Sequence, residues 1–573
     1  MLKHVLLIVT MGLFIGCAST KTTRVGQFAN LEPQEGLVAL EVINNTGSLT
    51  RDIRQWDEVV VIRVDNIEQI RTEAIAFAKK MHAKKKSVLE FDENTVMWDP
   101  EVYQLQPLPT GTLSTQVFFG KMPAGRYIIR RFSGSFSNSN YQAWFTKPVE
   151  EMGGFFSVKP KTLSDLGAMV YQPMGSAHEE GTSYSYVARL PRVHQLSDFV
   201  QDAYPKLAAQ LTGTSFSGWD THFLDHFRQD LGEMSRQNPY MTKTLSSDSQ
   251  GSGALVGKLG QIKRVQQGKW YSDAVPSNAE VTSMLQLDTL QLVGTEQGGV
   301  YLKTNAAASW QSLSPIAMTE SVIGLVHNGQ SFFALTKEDK AFKIYRFAQP
   351  TASWELLKRM EIPRSAPLPI MLVTPAGLNV YAHYAVHRYD LSSNQWRSER
   401  MNTLSKIIAV GEGKWLAIEI DAGHTFYTPD YGVTWINTHR PQALLLGSMA
   451  HEYKLPTIQG DRLISIEGFA DPADSSLVPK ILIRVASRPM SLVMTGENTP
   501  WQQHGLVKEG CAELLAAIST QEKLYARCEN GSIVSSSTMG RVWENEIRVD
   551  LTKLLQQYEQ FVDDLKADNA SKP

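Results

Sequence analysis

The spacing of tryptophan in the C-terminal half of the chain constrains the fold more than any other feature of the sequence. Five of the six steps between successive members of the series are 39–44 residues long. The series comprises Trp270, Trp310, Trp354, Trp396, Trp435, Trp501 and Trp543. One four-stranded propeller blade takes about 40–50 residues. The period therefore predicts a β-propeller over residues 249–548, with seven blades favoured and six or eight as alternatives. The remaining step, 66 residues from Trp435 to Trp501, fits a blade with an insertion near 470–478.

Polar turns precede several of these tryptophans. Thr428–Trp435 reads TPDYGVTW, and Ser536–Trp543 reads SSTMGRVW. These turns resemble the Asp-box of BNR-repeat propellers, a family that includes sialidases, the sortilin ectodomain and photosystem assembly propellers. The resemblance implies that each turn closes the hairpin between the two outer strands of a blade, with its Trp packed between blades. It implies structural and not catalytic roles for Thr428, Asp430, Gly432, Trp435, Ser536, Gly540 and Trp543.

The first 17 residues have the features of an export signal. A short positive start is followed by the apolar run Val5–Ile15, which is too short for a membrane span of about 20 residues. The run ends in Phe14–Cys17, which resembles the bacterial lipobox. The resemblance implies a signal peptide over 1–17, lipidation (palmitate) at Cys17 and, because Ala18 follows, the cell outer membrane. The alternative is an ordinary cleaved signal with an incidental cysteine.

The two remaining cysteines are Cys511 and Cys528. The bacterial periplasm is oxidising, an environment in which such a pair can form a disulfide. Strand-like runs at 514–518 and 523–526 predict a hairpin that places the two cysteines nearly opposite each other. The alternative is two separate buried thiols.

The rest of the chain divides by composition and periodicity. We expect a tether at 18–35, a β-rich sandwich-like domain at 36–160, a helical connector at 161–248 and a C-terminal helix and tail at 549–573. The segment Met122–Arg130 is similar to part of small β-sandwich domains in envelope lipoproteins. A predicted helix at Ile67–Lys86 has a basic end, which suits the helix dipole or anionic lipid headgroups. We expect the final helix to pack on the propeller, with docking to a partner as the alternative.

The sequence contains no complete catalytic or metal-binding motif among those considered below. With 56 Lys+Arg against 58 Asp+Glu there is no basic excess, so we expect no nucleic-acid partner. Sialidases carry an Arg-Ile-Pro motif on an early blade, whereas this chain has Ile362-Pro-Arg364 in another order. His222, His226 and Asp230 lie four residues apart on a predicted helix, which is metal-ligand spacing in principle. Phe223 stands where a zincin motif has Glu, so we interpret these residues as a polar helix face and expect neither metal nor cofactor.

The sequence therefore favours a membrane-anchored lipoprotein that acts as a non-enzymatic protein-interaction scaffold or assembly factor in the cell envelope. Its partners would be the membrane, through acyl chains on Cys17, and envelope proteins, with the body in the periplasm or at the cell surface. The alternative is a glycan-binding or glycosidase-like propeller of degenerate sialidase type. Enzymatic activity is left open, with the non-enzymatic interpretation preferred.

Overall fold

The computed structural model describes residues 21–570 apart from several short gaps. The gaps are 24, 26–29, 47–54, 85–89, 111–113, 138–141, 175–183, 247–252, 267, 306–307, 314, 362, 364–366, 403, 420–423, 440–454, 471–480, 509, 512, 521 and 529. The predicted signal peptide, Cys17 and the predicted insertion near 470–478, apart from Ala470, lie outside the described residues.

Eleven described strands form one N-terminal sheet. They are β1 (Lys21–Thr22), β2 (Glu35–Asn44), β3 (Glu58–Arg63), β4 (Val102–Pro107), β5 (Thr115–Pro123), β6 (Gly125–Ser137), β7 (Gln142–Pro148), β8 (Phe155–Val158), β9 (Leu163–Met174), β10 (Tyr184–Leu190) and β11 (Phe216–Ser217). The main order is β10-β9-β2-β5-β4-β3-β6-β7, with β1 beside β4, β8 beside β6 and β11 beside β9.

The sheet curls into a half-barrel because its strands share a core on the concave side. Strand β2 shows the alternation of its two faces, since Val38, Leu40 and Val42 join that core. The intervening Leu37 and Ala39 are buried on the opposite side against helices. With both faces covered, β2 becomes a nearly continuous apolar run, as expected of a central strand.

Seven described α-helices accompany the strands. They are α1 (Ile67–Lys84), α2 (Glu150–Gly153), α3 (Leu196–Ala203), α4 (Pro205–Ala208), α5 (Asp225–Gln237), α6 (Met490–Met494) and α7 (Leu551–Ala570). Pro205 separates two of these helices, because α3 ends at Ala203 and Pro205 opens α4. Across the described residues, no helix combines the length and the apolar character needed to cross a membrane.

The predicted connector at 161–248 needs correction at both ends. Strand β9 pairs in parallel with β2 and antiparallel with β10, so Leu163–Met174 and Tyr184–Leu190 belong to the N-terminal sheet and not to a connector. The strand Met241–Ser246 already belongs to the first blade of the propeller. The described residues of the predicted tether are not all extended linker either, since Lys21 and Thr22 pair with β4. These pairings join segments far apart in sequence, and such pairings leave no local pattern.

The remaining described strands form seven sheets of four consecutive antiparallel strands, so the predicted seven-bladed β-propeller is confirmed. Blades 1 and 2 contain β12 (Met241–Ser246), β13 (Gly253–Gly257), β14 (Gln261–Gln266), β15 (Lys269–Ala274), β16 (Val281–Gln286), β17 (Gln291–Thr295), β18 (Val300–Lys303) and β19 (Gln311–Leu313). Blades 3 and 4 contain β20 (Ser321–His327), β21 (Phe332–Lys337), β22 (Ala341–Phe347), β23 (Glu355–Glu361), β24 (Ile370–Thr374), β25 (Gly377–Ala382), β26 (Ala385–Asp390) and β27 (Gln395–Arg400). Blades 5 to 7 contain β28 (Leu404–Gly411), β29 (Lys414–Glu419), β30 (Thr425–Thr428), β31 (Ile436–Asn437), β32 (Thr457–Gln459), β33 (Arg462–Ala470), β34 (Ile481–Pro489), β35 (Gln502–Leu506), β36 (Glu513–Leu514), β37 (Leu524–Arg527), β38 (Ile533–Ser536) and β39 (Glu544–Ile547).

Each tryptophan of the series lies at or just before the fourth strand of a blade. It packs into the apolar cluster shared with the preceding blade. Trp310 joins a cluster formed by blades 1 and 2, Trp396 one formed by blades 3 and 4, and Trp543 one formed by blades 6 and 7. The period in the sequence therefore marks the repeated contact between neighbouring blades.

Candidate functional site

The two ends of the propeller have different surroundings. In a four-stranded antiparallel blade, the connections from second to third strand and from blade to blade lie at one end. We call this the capped end, because the N-terminal domain contacts it. The other end carries the turns from first to second and from third to fourth strand, and we call it the turn end. Contacts to the N-terminal domain come from Tyr240, Asn278, Glu280, Glu296 and Met318, all at the capped end of blades 1 to 3.

The most buried polar contact between the domains is made by the chain just before β5. The amide N–H groups of Ser114 and Thr115 donate to the carboxylate of Glu296 at 3.1 and 3.0 Å. The Ser114 hydroxyl lies 2.8 Å from Glu296 Oε2 and 3.0 Å from Glu280 Oε2. All four residues are buried. Since a buried donor without an acceptor is costly, these contacts fix how the N-terminal domain sits on the propeller.

The charge on Glu280 is matched within the propeller. Lys258 Nζ lies 2.6 Å from Glu280 Oε2, and Thr242 Oγ1 lies 2.8 Å from Glu280 Oε1. Burial by itself would raise the pKa of Glu280, yet the ammonium groups of Lys258 and Lys243 outweigh burial and lower that pKa to about 2. Glu280 is therefore a carboxylate at neutral pH and binds Ser114 as a charged acceptor.

A second carboxyl group near the junction is less well matched. Glu41 of β2 is buried, and its Oε2 lies 3.6 Å from Nε2 of His194. Burial raises the pKa of Glu41, and the nearby His194 only partly opposes this effect. The junction thus combines one charged acceptor, Glu280, with one carboxyl group, Glu41, whose pKa is raised by burial. These buried polar groups hold the N-terminal domain and the propeller together.

The C-terminal helix α7 forms a further part of this joint. We expected this helix to pack on the propeller, but most of its contacts are with β9, β10 and α5 of the N-terminal domain. The Tyr558 ring stacks on Tyr186 at 5.4 Å, and the Phe561 ring stacks on Phe227 at 4.4 Å. The propeller contributes Leu259 to the same cluster. The end of the chain therefore returns to the N-terminal domain after completing the ring.

Truncating Leu554, a buried leucine of this helix, should loosen the packing of α7 on the N-terminal domain. We expect Leu554→Ala to cost roughly 2–5 kcal/mol of stability, because Leu554 is buried in the cluster beneath α7. Hydrogen exchange should speed up in α7 and in β10. Gln556→Ala, an exposed position on the same helix, is the control and should leave exchange unchanged. Equal exchange in both variants would contradict the assigned packing.

The turns with Asp-box resemblance lie between third and fourth strands at the turn end. In blade 5 the Thr434 N–H donates to Asp430 Oδ1 at 2.8 Å, and the Gly432 N–H donates to Thr428 Oγ1 at 2.9 Å. A Cβ on Gly432, whose φ is 76°, would lie 2.3 Å from the Tyr381 hydroxyl. Trp435 packs in the cluster between blades 4 and 5. Each motif residue in this turn thus serves the turn or the packing of the blade.

Blade 7 repeats this turn with different side chains. The Gly540 N–H donates to Ser536 Oγ at 2.9 Å, and the Val542 N–H donates to Thr538 Oγ1 at 2.9 Å. The Trp543 indole N–H donates to the Leu506 carbonyl at 3.0 Å. Thr538 therefore takes the place that Asp430 has in blade 5, with a hydroxyl acceptor in place of a carboxylate.

We expect opposite changes in stability when the acceptor is removed from the blade 5 turn and when it is made a carboxylate in the blade 7 turn. Asp430→Ala removes the acceptor of the Thr434 N–H and hydroxyl and should cost about 1–2 kcal/mol, like the loss of a helix cap. Thr538→Asp should add about 0.5–1 kcal/mol, because a charged acceptor replaces a neutral one. Urea unfolding midpoints would measure both effects. Asp288→Ala, at an exposed position of blade 2, is the control.

The structure also places the cysteines and histidines that the sequence analysis singled out. Cys511 and Cys528 form a disulfide in blade 7, and both are buried. Helix α5 begins at Asp225, so His222 precedes it and does not share its face with His226. No group of three or more His, Cys, Asp or Glu side chains that could hold a metal ion occurs within the described ranges.

A cavity of about 310 Å³ lies beside α7, between the edge strands β7 and β10. Its lining includes Lys147, Ser185, Tyr186 and Tyr558. Lys147 donates to the Ser185 carbonyl across the gap, and burial lowers the pKa of its ammonium group. The lysine thus helps to hold the two edges of the half-barrel together.

Sequence reasoning missed the residues of the domain joint. Ser114, Lys258, Glu280 and Glu296 all lie in connections between strands, where polar residues usually face water. Their burial depends on a domain contact that no local pattern reports. The sequence does show a glutamate in two successive connections, Glu280 and Glu296. Glutamates are common in exposed loops, so this pattern alone does not indicate a domain contact.

No protein-family model and no curated protein sequence matches the chain. Among solved structures, YCF48 bound to a D1 peptide is 13% identical, with a TM-score of 0.35, over 51% of this chain and 89% of that chain. The β-propeller domain of Swd1 from Myceliophteria thermophila is 11% identical, with a TM-score of 0.36, over 52% of this chain and 97% of that chain. The WD40 propeller domain of Doa1 is 11% identical, with a TM-score of 0.30, over 54% and 93%. What the chain has in common with these structures is a β-propeller.

Proposed function

We propose that the protein is a lipid-anchored scaffold of the bacterial cell envelope, held in the outer membrane by acyl chains on Cys17 and binding envelope proteins through its propeller. The observation that carries this proposal is the rigid joint at the capped end. Buried contacts of Glu280 and Glu296 with Ser114 hold the propeller in one orientation on the N-terminal domain. A tethered propeller with a fixed orientation presents the same surface to every partner.

The turn end is the surface we propose for protein partners. It lies opposite the N-terminal domain, and its third-to-fourth-strand turns are, in this proposal, Asp-boxes that have kept a structural role. Val433 and Val542 are exposed apolar side chains in the corresponding turns of blades 5 and 7, where Val433 follows the turn glycine and Val542 precedes the Trp. Exposed apolar groups on a rigid rim are typical of protein contact surfaces.

Site-specific crosslinking in cells tests this proposal. A photoreactive amino acid would replace Val433 or Val542, and a control would carry it at Phe223, an exposed residue beside α5. We expect the two turn-end positions to capture a shared set of envelope proteins that the Phe223 position does not capture. Equal capture from all three positions would contradict a binding surface at the turn end. Recovery of glycan without protein would favour the sugar-binding alternative.

The anchor needs its own measurement. Cells fed an alkyne-labelled palmitate should label the wild-type chain and leave a Cys17→Ala chain unlabelled. Mass spectrometry of the N-terminal peptide would then locate the acyl groups. Unchanged labelling of Cys17→Ala, or a wild-type chain without acyl groups, would contradict the lipoprotein assignment whatever the crosslinking shows.

A further inference from the structure

Helix α1 is unusual for its length. None of its 18 residues, all of them described, is buried. An isolated helix of this length is only marginally stable in water, and most surface helices bury an apolar stripe against their own domain. Phe77 is 66% exposed, and Met81 is also exposed. An apolar side of α1 therefore faces outward from the domain.

The outward side of α1 carries cations beside these apolar residues. Phe77, Lys80, Met81 and Lys84 follow the spacing i, i+3, i+4 and i+7, which places them along one stripe. All four are exposed. Lysine side chains beside exposed aromatic and aliphatic groups are typical of helices that lie in a membrane interface, because the stems bury while the ammonium groups reach the headgroups.

Along this side of α1, Lys80 and Lys84 outnumber the exposed Glu73, which lies one turn before Phe77. Lys79, on the neighbouring side of the helix, pairs with Glu93 at 3.3 Å. Asp92 accepts the Asn94 N–H as the cap of a short 3-10 turn. Shortly after this turn comes Met97, which is 84% exposed and adds a further apolar group to the same part of the domain.

Helix α1 also lies close to the place where the chain arrives from Cys17. Lys21 pairs with Tyr103 of β4, and Tyr103 pairs with Val61 of β3. Two strand spacings of about 4.8 Å therefore separate β1 from β3, the strand that leads into α1. Cys17 precedes Lys21 by four residues, which span at most roughly 14 Å. Acyl chains on Cys17 would thus start within roughly 14 Å of β1, near the strand that leads into α1.

We propose that the outward stripe of α1 binds an anionic bilayer surface and so orients the body on the membrane. This inference rests on the proposed lipidation of Cys17 for its biological setting. Acyl chains alone hold a protein at the membrane without fixing which side faces it. Contact of α1 with the bilayer supplies that orientation through burial of Phe77 and Met81 and through attraction of Lys80 and Lys84 to anionic headgroups.

Vesicle binding by the unacylated protein tests the contact directly. Residues 18–573 retain every residue of the described fold and lack only the predicted signal and Cys17. We expect this chain to co-sediment with phosphatidylglycerol-containing vesicles and much less with phosphatidylcholine vesicles. Phe77→Ser and the pair Lys80→Glu with Lys84→Glu should each weaken binding by about tenfold or more, because the first removes an apolar group from the interface and the second reverses two attractive charges. Added salt should weaken wild-type binding.

Matched controls make the same chemical changes elsewhere. Phe223→Ser removes a phenylalanine that is 56% exposed, beside α5. Lys269→Glu with Lys414→Glu reverses two exposed charges on the propeller. Both controls should bind vesicles like the wild type, and circular dichroism should show the same fold for all variants.

Two results would overturn the inference. One is equal vesicle binding by α1 variants and controls. The other is the absence of any vesicle binding by the wild type, which would leave α1 as a contact for a protein partner. Neither result depends on Cys17, because the tested chain lacks it. Conversely, a failed palmitate labelling in cells would remove the proposed anchor while leaving the vesicle result intact.

Discussion

Replacing Arg527 with methionine should open the propeller between its last and first blades. Arg527 is buried in blade 7, and its Nη1 donates to the Met241 carbonyl of blade 1 at 2.6 Å. Its Nε donates to Glu513 at 2.7 Å. The four strands of every blade are consecutive, so the ring is closed by side-chain packing and contacts such as this one. The substitution leaves Glu513, whose side chain is only 13% exposed, without this partner and should cost about 3–5 kcal/mol.

Arg541→Met in the same blade is the matched control, since Arg541 is exposed. We expect the midpoint of urea unfolding to fall only in Arg527→Met. Limited proteolysis should then cut near β12 or β36, at the opened seam. If the Arg527 variant unfolds like the Arg541 variant, closure of the ring does not depend on this contact.

Glu280→Gln should weaken the domain joint in a pH-dependent way. Loss of the carboxylate leaves the buried Lys258 ammonium without its partner at 2.6 Å, which should cost about 3–5 kcal/mol near neutral pH. The folded-state pKa of Glu280 is about 2, below its ordinary value of 4.5. A lowered pKa contributes stability that is present above the unfolded pKa and is lost as pH falls toward the folded pKa. The difference between wild type and variant should therefore be largest near neutral pH and shrink below about pH 4.5.

Two comparisons separate charge from packing. Glu355→Gln removes an exposed partner of Arg346 and should cost less than about 1 kcal/mol, with little change with pH. Glu280→Gln combined with Lys258→Met removes both buried charges and should recover part of the loss. Chemical unfolding at several pH values measures all three variants. A pH-independent loss in Glu280→Gln would show that the carboxylate charge is not what holds the joint.

The propeller could be predicted because its signal recurs. One tryptophan per blade packs at the same contact between neighbours, so the contact spacing appears directly as sequence spacing. The turns of Asp430 and Thr538 could be located for the same reason. Each is closed by hydrogen bonds among residues at most four positions apart.

The N-terminal domain and the joint could not be read in the same way. Strand β9 pairs with β2 across more than 100 positions, and Ser114 meets Glu296 across 182. The sequence of an apolar run such as β9 does not indicate which strand it pairs with. The sequence around a loop glutamate likewise does not indicate whether the side chain faces water or a second domain. Helix α7 was expected from its stripe, but a stripe does not say which surface covers it.

The return of α7 to the N-terminal domain affects the order in which the protein can be completed. During synthesis the surface formed by Ile43, Val170 and Tyr186 is made before the propeller. Helix α5 covers part of it, and α7, which covers the rest, follows the seventh blade in the chain. An apolar surface therefore stays open to water while all seven blades are being made. Chains that stop early would keep it open, in the form that chaperones and quality-control proteases bind. Docking of α7 thus reports that all seven blades have been made.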